Sequence, residues 1–101
     1  MAADEKKTLL SPEFMIASEI FGLNKKEEKI WYNKLCDRFR GKLSRNTISK
    51  ALNSLFDWGI VKAEYGETTP GHAGRLLFIS NESEQVVRVL YERYWKDEMD
   101  Q

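Results

Sequence analysis

Between Ser44 and Ser80 the apolar pattern changes its period at one glycine. Ahead of Gly59, residues Ile48, Leu52, Leu55 and Phe56 recur at helical spacing, with Ala51 beside them. Behind it, Ile60 to Tyr65 alternates as a strand does, and Leu76 to Ile79 forms a second strand. Gly66 to Gly74, with three glycines and Pro70, is expected to be irregular and to join the two strands as a long hairpin loop. Ser44 is a suitable N-cap, because its hydroxyl can accept from the free amides of the first turn. Thr47 stands where a capping box wants Glu or Gln, so that signal is half present. Gly59 suits the left-handed position that ends helices.

The polar side of this helix carries Arg45, Asn46, Ser49, Lys50 and Asn53. Arg and Lys can pair with phosphate or with guanine O6/N7, and Asn can read adenine N6/N7. Ser and Thr are short enough for a helix to lie close in a groove. No acid occurs from Ser44 to Ser54, and the first is Asp57. The competing reading is a solvated face on an ordinary amphipathic helix. The hairpin loop carries Glu67 but ends on His72 and Arg75. It reads either as a plain hairpin tip or as a wing whose arginine reaches phosphate or the minor groove.

The rest of the chain frames this stretch. Ser11-Pro12-Glu13 has the order of cap, first-turn proline and N-terminal acid that starts a helix. Its buried side is expected to be Phe14, Ala17, Ile20 and Phe21, with Gly22 as its stop. Leu23 to Lys29 reads as a charged connector. Ile30-Trp31 either forms a short strand against the hairpin or opens the next helix. Tyr32, Leu35, Cys36 and Phe39 predict a second helix over roughly 31–40, ended by Gly41. A short glycine-containing turn before Ser44 is the connection of a helix-turn-helix. A last helix is expected from a cap at Asn81 or Ser83 to about Glu98, with an apolar stripe of Val86, Val87, Leu90, Tyr91, Tyr94 and Trp95. That stripe packs either on the chain's own first helix or on a second copy as a homodimer interface; a third reading makes Tyr94 and Trp95 the lining of a small-molecule pocket.

At 101 residues the chain is one small domain. Its expected division is a flexible tail over 1–10, a nucleic-acid-binding part over 11–81 and a dimerisation helix over 82–101. Net charge is zero, but Lys25 to Lys50 holds nine Lys/Arg against three acids, between acidic ends. Local field rather than total charge steers a protein toward DNA. No apolar run has the length of a membrane span and no signal-peptide core is present, so a cytoplasmic protein is expected. Cys36 is the only cysteine and reads as a buried core thiol, with a redox sensor as the alternative. One histidine and one cysteine, far apart, do not suggest a metal site, and no cofactor is expected. His72 lacks a nucleophile motif nearby, and the Asp97/Glu98 pair reads as solvated, so no enzyme is expected.

The segment LSRNTISKALNSLFDWGIVKAEYG, with the later GHAGRLLFIS, resembles the winged helix-turn-helix transcriptional regulators in the style of the MarR, PadR and ArsR groups. The resemblance spans roughly residues 12–98. It implies a mainly α fold with a small β-hairpin wing and an added C-terminal helix. It further implies that Arg45, Asn46, Thr47, Ser49 and Lys50 touch double-stranded DNA, that Lys42 and Ser44 contact phosphate at the turn, and that Arg75 is the wing arginine. Glu67 departs from a basic wing. Winged helices also serve as protein-binding modules, the alternative function.

Overall fold

The computed structural model describes residues 11–96; the expected tail over 1–10 and the Asp97/Glu98 pair lie outside them. Helix α1 (Pro12–Lys25) is followed by α2 (Tyr32–Arg38), α3 (Arg45–Asp57) and a hairpin of β1 (Val61–Glu67) and β2 (Ala73–Ile79). A 3-10 turn (Asn81–Ser83) leads into α4 (Glu84–Leu90), which continues as one π-helical turn over Tyr91–Trp95. This is the expected mainly helical winged helix-turn-helix with an added terminal helix.

Local chemistry accounts for most boundaries. The Ser11 hydroxyl accepts from the Phe14 amide at 3.3 Å, and Pro12 occupies the first turn. Ser44 caps α3 by accepting from the Thr47 amide at 3.1 Å. Helix α3 ends on a Schellman motif. The Ile60 amide donates to the Leu55 carbonyl and the Gly59 amide to Phe56, with Gly59 at φ +75°.

The first helix does not stop at Gly22 but runs on to Lys25. It ends on a second Schellman motif, in which the Glu28 amide donates to Leu23 and the Glu27 amide to Asn24. Glu27 takes the left-handed position at φ +60° without being glycine. Gly22 is instead a packing residue. A Cβ there would stand 2.6 Å from a Tyr91 ring carbon, so the absent side chain lets the terminal helix lie close.

The hairpin is also longer than its glycines suggest. Its register runs from Val61 opposite Ile79 to Glu67 opposite Ala73, with Gly66 facing Gly74. Only Thr68–His72 is left as loop. The His72 amide donates to the Thr69 carbonyl at 2.8 Å around Pro70 and Gly71, and Gly71 has φ +82°. Proline followed by a glycine at positive φ is the pattern of a type II turn. Ile30 takes a middle course between strand and helix start: its carbonyl accepts from the Leu77 amide at 2.8 Å, without a strand forming. Asn24 extends this cover. Its amide donates to the Leu77 carbonyl at 3.3 Å and its oxygen accepts from the Ile79 amide at 3.1 Å. Together they close the outer edge of β2, which would otherwise expose unpaired backbone.

The core lies between α1, α2, α3 and the terminal helix. Ile16, Ile20, Leu35, Phe39, Ile48, Leu55 and Val87 are fully buried, and Cys36 is a buried free thiol. Neither Asn81 nor Ser83 caps the terminal helix through its side chain; the chain enters through the 3-10 turn instead. Val87, Tyr91 and Trp95 are buried in a line against α1. Residues four apart drift around a regular helix, and the wider π turn reduces that drift and keeps the three in register. Trp95 stacks on Phe39 at 5.8 Å and its indole N–H donates to Glu19 Oε1 at 2.9 Å. Arg38 Nε donates to the other oxygen of Glu19. Glu19 is 3% exposed, so this carboxylate is held by two donors from two different elements.

Candidate nucleic-acid interface

Helix α3 presents two polar stripes, because residues three and four apart share a face. Asn46, Lys50 and Asn53 form the outer stripe and all three are exposed. Arg45, Ser49 and Asn53 form the second, which turns toward α2 and the hairpin. No carboxylate occurs between Ser44 and Ser54, so neither stripe carries a negative charge.

The second stripe is anchored by Tyr32 at the start of α2. The Tyr32 hydroxyl shares a hydrogen bond of 2.9 Å with Ser49 Oγ and donates to the Arg45 carbonyl at 3.4 Å. The Arg45 guanidinium lies 5.7 Å from the centre of the Tyr32 ring and donates to Asn33 Oδ1 at 3.3 Å. Arg45 is therefore preorganised while remaining exposed. Ser49 is half-buried, with its hydroxyl already engaged. The Ser44 hydroxyl is occupied too: besides capping, it donates to Thr47 Oγ1 at 2.9 Å.

The wing residues divide. His72 is exposed in the turn, at the far end of the hairpin. Arg75 lies in β2 opposite Tyr65, not at the tip, and its guanidinium sits 5.1 Å from the centre of the Phe56 ring. It lines a shallow groove of about 170 Å³ with Ser49, Asn53 and Tyr32. The structure thus brings Arg75 to α3 and leaves His72 apart. Lys42 also stands apart from this groove: its ammonium lies 5.9 Å from the centre of the Trp95 ring.

Tyr32, read from the sequence as one of a helical apolar series, is the residue that joins α2 to the polar face of α3. Nothing in the sequence marks its hydroxyl as the anchor, since the partner is 17 residues away. Tyr65 shares its strand parity with Val61 and Ala63, a signal present in the sequence alternation, yet it is exposed. A second, wider groove of about 650 Å³ runs between Trp31, Tyr32 and the wing, past Tyr65, His72 and Arg75.

Of the terminal-helix stripe, Val87, Tyr91 and Trp95 lie inside the core, and Leu90 and Tyr94 are partly buried. Val86 is 62% exposed, and so is the neighbouring Val89 at 48%. Among the described residues no group of three metal-ligating side chains occurs, and no helix is long and apolar enough to cross a membrane.

No protein-family model matches the chain, and no curated protein matches it. Solved structures do. The circadian clock associated protein Pex from Anabaena is similar over 90% of this chain and 82% of its own, with a TM-score of 0.66 and 18% identity. Pex from Synechococcus sp. strain PCC 7942 is similar over 86% and 84%, with a TM-score of 0.59 and 20% identity. A PadR family transcription regulator from Clostridium difficile R20291 is similar over 89% of this chain and 96% of its own, with a TM-score of 0.61 and 14% identity. The chain shares the winged-helix fold of these structures.

Proposed function

We propose that the chain binds double-stranded DNA sequence-specifically as a transcriptional regulator, with α3 in the major groove and the hairpin as its wing. The observation that carries this is the acid-free, exposed stripe of Asn46, Lys50 and Asn53 beside a preorganised Arg45. Side chains able to read base edges stand at the spacing that a groove-bound helix presents. Arg75 acts from the body of the wing, close to α3, and His72 from its turn. Ser44, Thr47 and Ser49 shape the helix start and its seat on α2, and Lys42 adds positive charge at the turn. The fold likeness to a PadR family transcription regulator supports a regulatory role. The reading is of a cytoplasmic binding protein without cofactor or enzymatic activity; His72, the one histidine, serves in it only as a wing contact.

The regulator acts as a homodimer in this reading. Val86 and Val89 give the terminal helix an exposed apolar edge, flanked by Leu90 and Tyr94, that a second copy covers, while Val87, Tyr91 and Trp95 hold that helix to its own domain from the other side. The same edge, with a net charge of zero, favours the second reading, a winged helix that binds another protein and not DNA.

A titration of the full chain against random duplex DNA at about 50 and about 200 mM salt, beside a mass measurement, separates the two. Counterion release predicts roughly a thousandfold loss of affinity for about six neutralised phosphates per dimer. Asn46→Ala and Lys50→Ala each cost about 1–3 kcal/mol of duplex binding if they read bases. Duplex affinity unchanged in both variants removes the assignment of α3, and no binding at the lower salt transfers the proposal to the protein-binding reading.

A further inference from the structure

We infer that the groove between the wing and the start of α2 is a stacking site for unpaired bases, so that the chain also holds a single nucleic-acid strand next to its duplex. The inference rests on the duplex-binding reading for its setting and on different residues for its chemistry.

The hairpin explains why the groove exists. Val61, Ala63 and Tyr65 share one face of β1, and Ile79, Leu77 and Arg75 share the same face of β2. The first two pairs are buried or half-buried against the core. The third pair, Tyr65 and Arg75, keeps the same parity but projects past the end of the core. Tyr65 is consequently 80% exposed although it occupies a core-facing position. An aromatic ring of that exposure contributes little to the fold. Across the groove stand Trp31 and Tyr32, so that three aromatic side chains line one space of about 650 Å³.

The charges favour nucleic acid over an apolar partner. No carboxylate lines the groove, and Arg75 and His72 are on its wall. Lys34 lies 5.1 Å from the Trp31 ring centre, and Arg45 covers the Tyr32 ring in the same way. The balance also favours base faces over a duplex backbone. Gripping phosphates calls for a row of cations, whereas half of this lining is aromatic or hydroxyl-bearing and Arg75 is its one Lys or Arg. Aromatic rings beside scattered cations are the composition of surfaces that bind single strands, where each exposed base offers a π-face. A base paired in the interior of a duplex offers none, because its neighbours in the stack cover it.

The test compares a blunt duplex with the same duplex carrying a four-nucleotide single-stranded extension, and with a labelled 12-nucleotide oligothymidylate, all by fluorescence anisotropy on the full chain. The extension is expected to tighten binding about tenfold, the scale of one stacked base. Tyr65→Ala is expected to remove that gain and leave blunt-duplex affinity unchanged, and Tyr65→Phe to retain it, since stacking needs the ring and not the hydroxyl. Asn46→Ala is expected to do the reverse, weakening the blunt duplex and keeping the gain. Equal affinity for blunt and extended duplex overturns the inference, as does an equal loss on both in Tyr65→Ala. Binding of the oligothymidylate without binding of the blunt duplex leaves the groove standing and removes the duplex reading; binding of neither removes both.

Discussion

The two ends of this small domain use their aromatic residues in opposite ways. Where the terminal helix meets α1 and α2, Tyr91 and Trp95 are buried, ring against ring with Phe21 and Phe39. Gly22 admits Tyr91, and Glu19 receives the indole N–H and the Arg38 guanidinium. Where α2, α3 and the wing converge, Trp31 and Tyr32 are half-exposed and Tyr65 is exposed. Lys34 lies over Trp31, Arg45 over Tyr32 and Arg75 over Phe56, so these rings meet cations rather than other rings. The first end is a closed interior in which the Glu19 carboxylate and the Trp95 indole N–H have specific mates. The second is an open surface on which cations are held in place by weak contacts. The difference teaches where stability and function separate. Substitutions at the first end should act on folding, and those at the second on recognition.

Removing the buried carboxylate is the strongest way to break that contrast. Glu19→Ala leaves the Arg38 guanidinium and the Trp95 indole without their acceptor and opens a void between α1 and the terminal helix. A loss of about 3 kcal/mol in urea unfolding is expected. Because Arg38 is partly exposed and can recover some hydration, the upper end of the range for buried pairs is not reached. Stability within about 0.5 kcal/mol of the parent would show that the network does not hold the helix.

Gly22→Ala asks how tightly the same end is packed. Alanine is the better helix former by about 1 kcal/mol, so an open site would be stabilised. The 2.6 Å approach to the Tyr91 ring reverses the sign, and a net loss of about 1–2 kcal/mol in thermal unfolding is expected. A rise in melting temperature would show that Tyr91 can move aside.

Tyr32→Phe sharpens the comparison from the other side. It keeps the ring under Arg45 and removes only the hydroxyl that ties Ser49 and the Arg45 carbonyl. A stability loss of about 1 kcal/mol is expected, the net worth of one such hydrogen bond. On the duplex-binding reading, affinity falls while its salt dependence is unchanged, because no phosphate contact is lost. A change in the slope would show that the hydroxyl also holds the Arg45 cation on a phosphate.

These sites differ in how far the sequence announced them. The cap at Ser44, the stop at Gly59 and the Ile48–Leu52–Leu55 stripe are local patterns, and the structure follows them. The glycines were less informative, because glycine has two uses. Gly59 supplies a positive φ, which a helix end requires; Gly22 supplies space for a residue 69 positions away, which no local window shows. The hairpin loop is shorter than its composition suggests for a related reason. Gly66 and Gly74 look like breakers, yet they pair across the strands, and only Pro70-Gly71 makes the turn. The outer stripe of α3 could be read at helical period, but the engagement of Ser49 and the retreat of Arg75 onto Phe56 needed the packing of α2 and β2 against α3.

The element order, the period of each element and the polar, acid-free face of α3 are legible in the chain, since these depend on interactions within a few residues. The packing of the elements chose which polar side chains remain available and which are engaged by neighbours. It decided that Glu19 closes the interior with Arg38 and Trp95, and that Asn24 and Ile30 cover the edge of β2. It also decided that Tyr65 overhangs the core. Each of these joins residues far apart in the chain, and their meeting depends on how close the helices and the hairpin can pack.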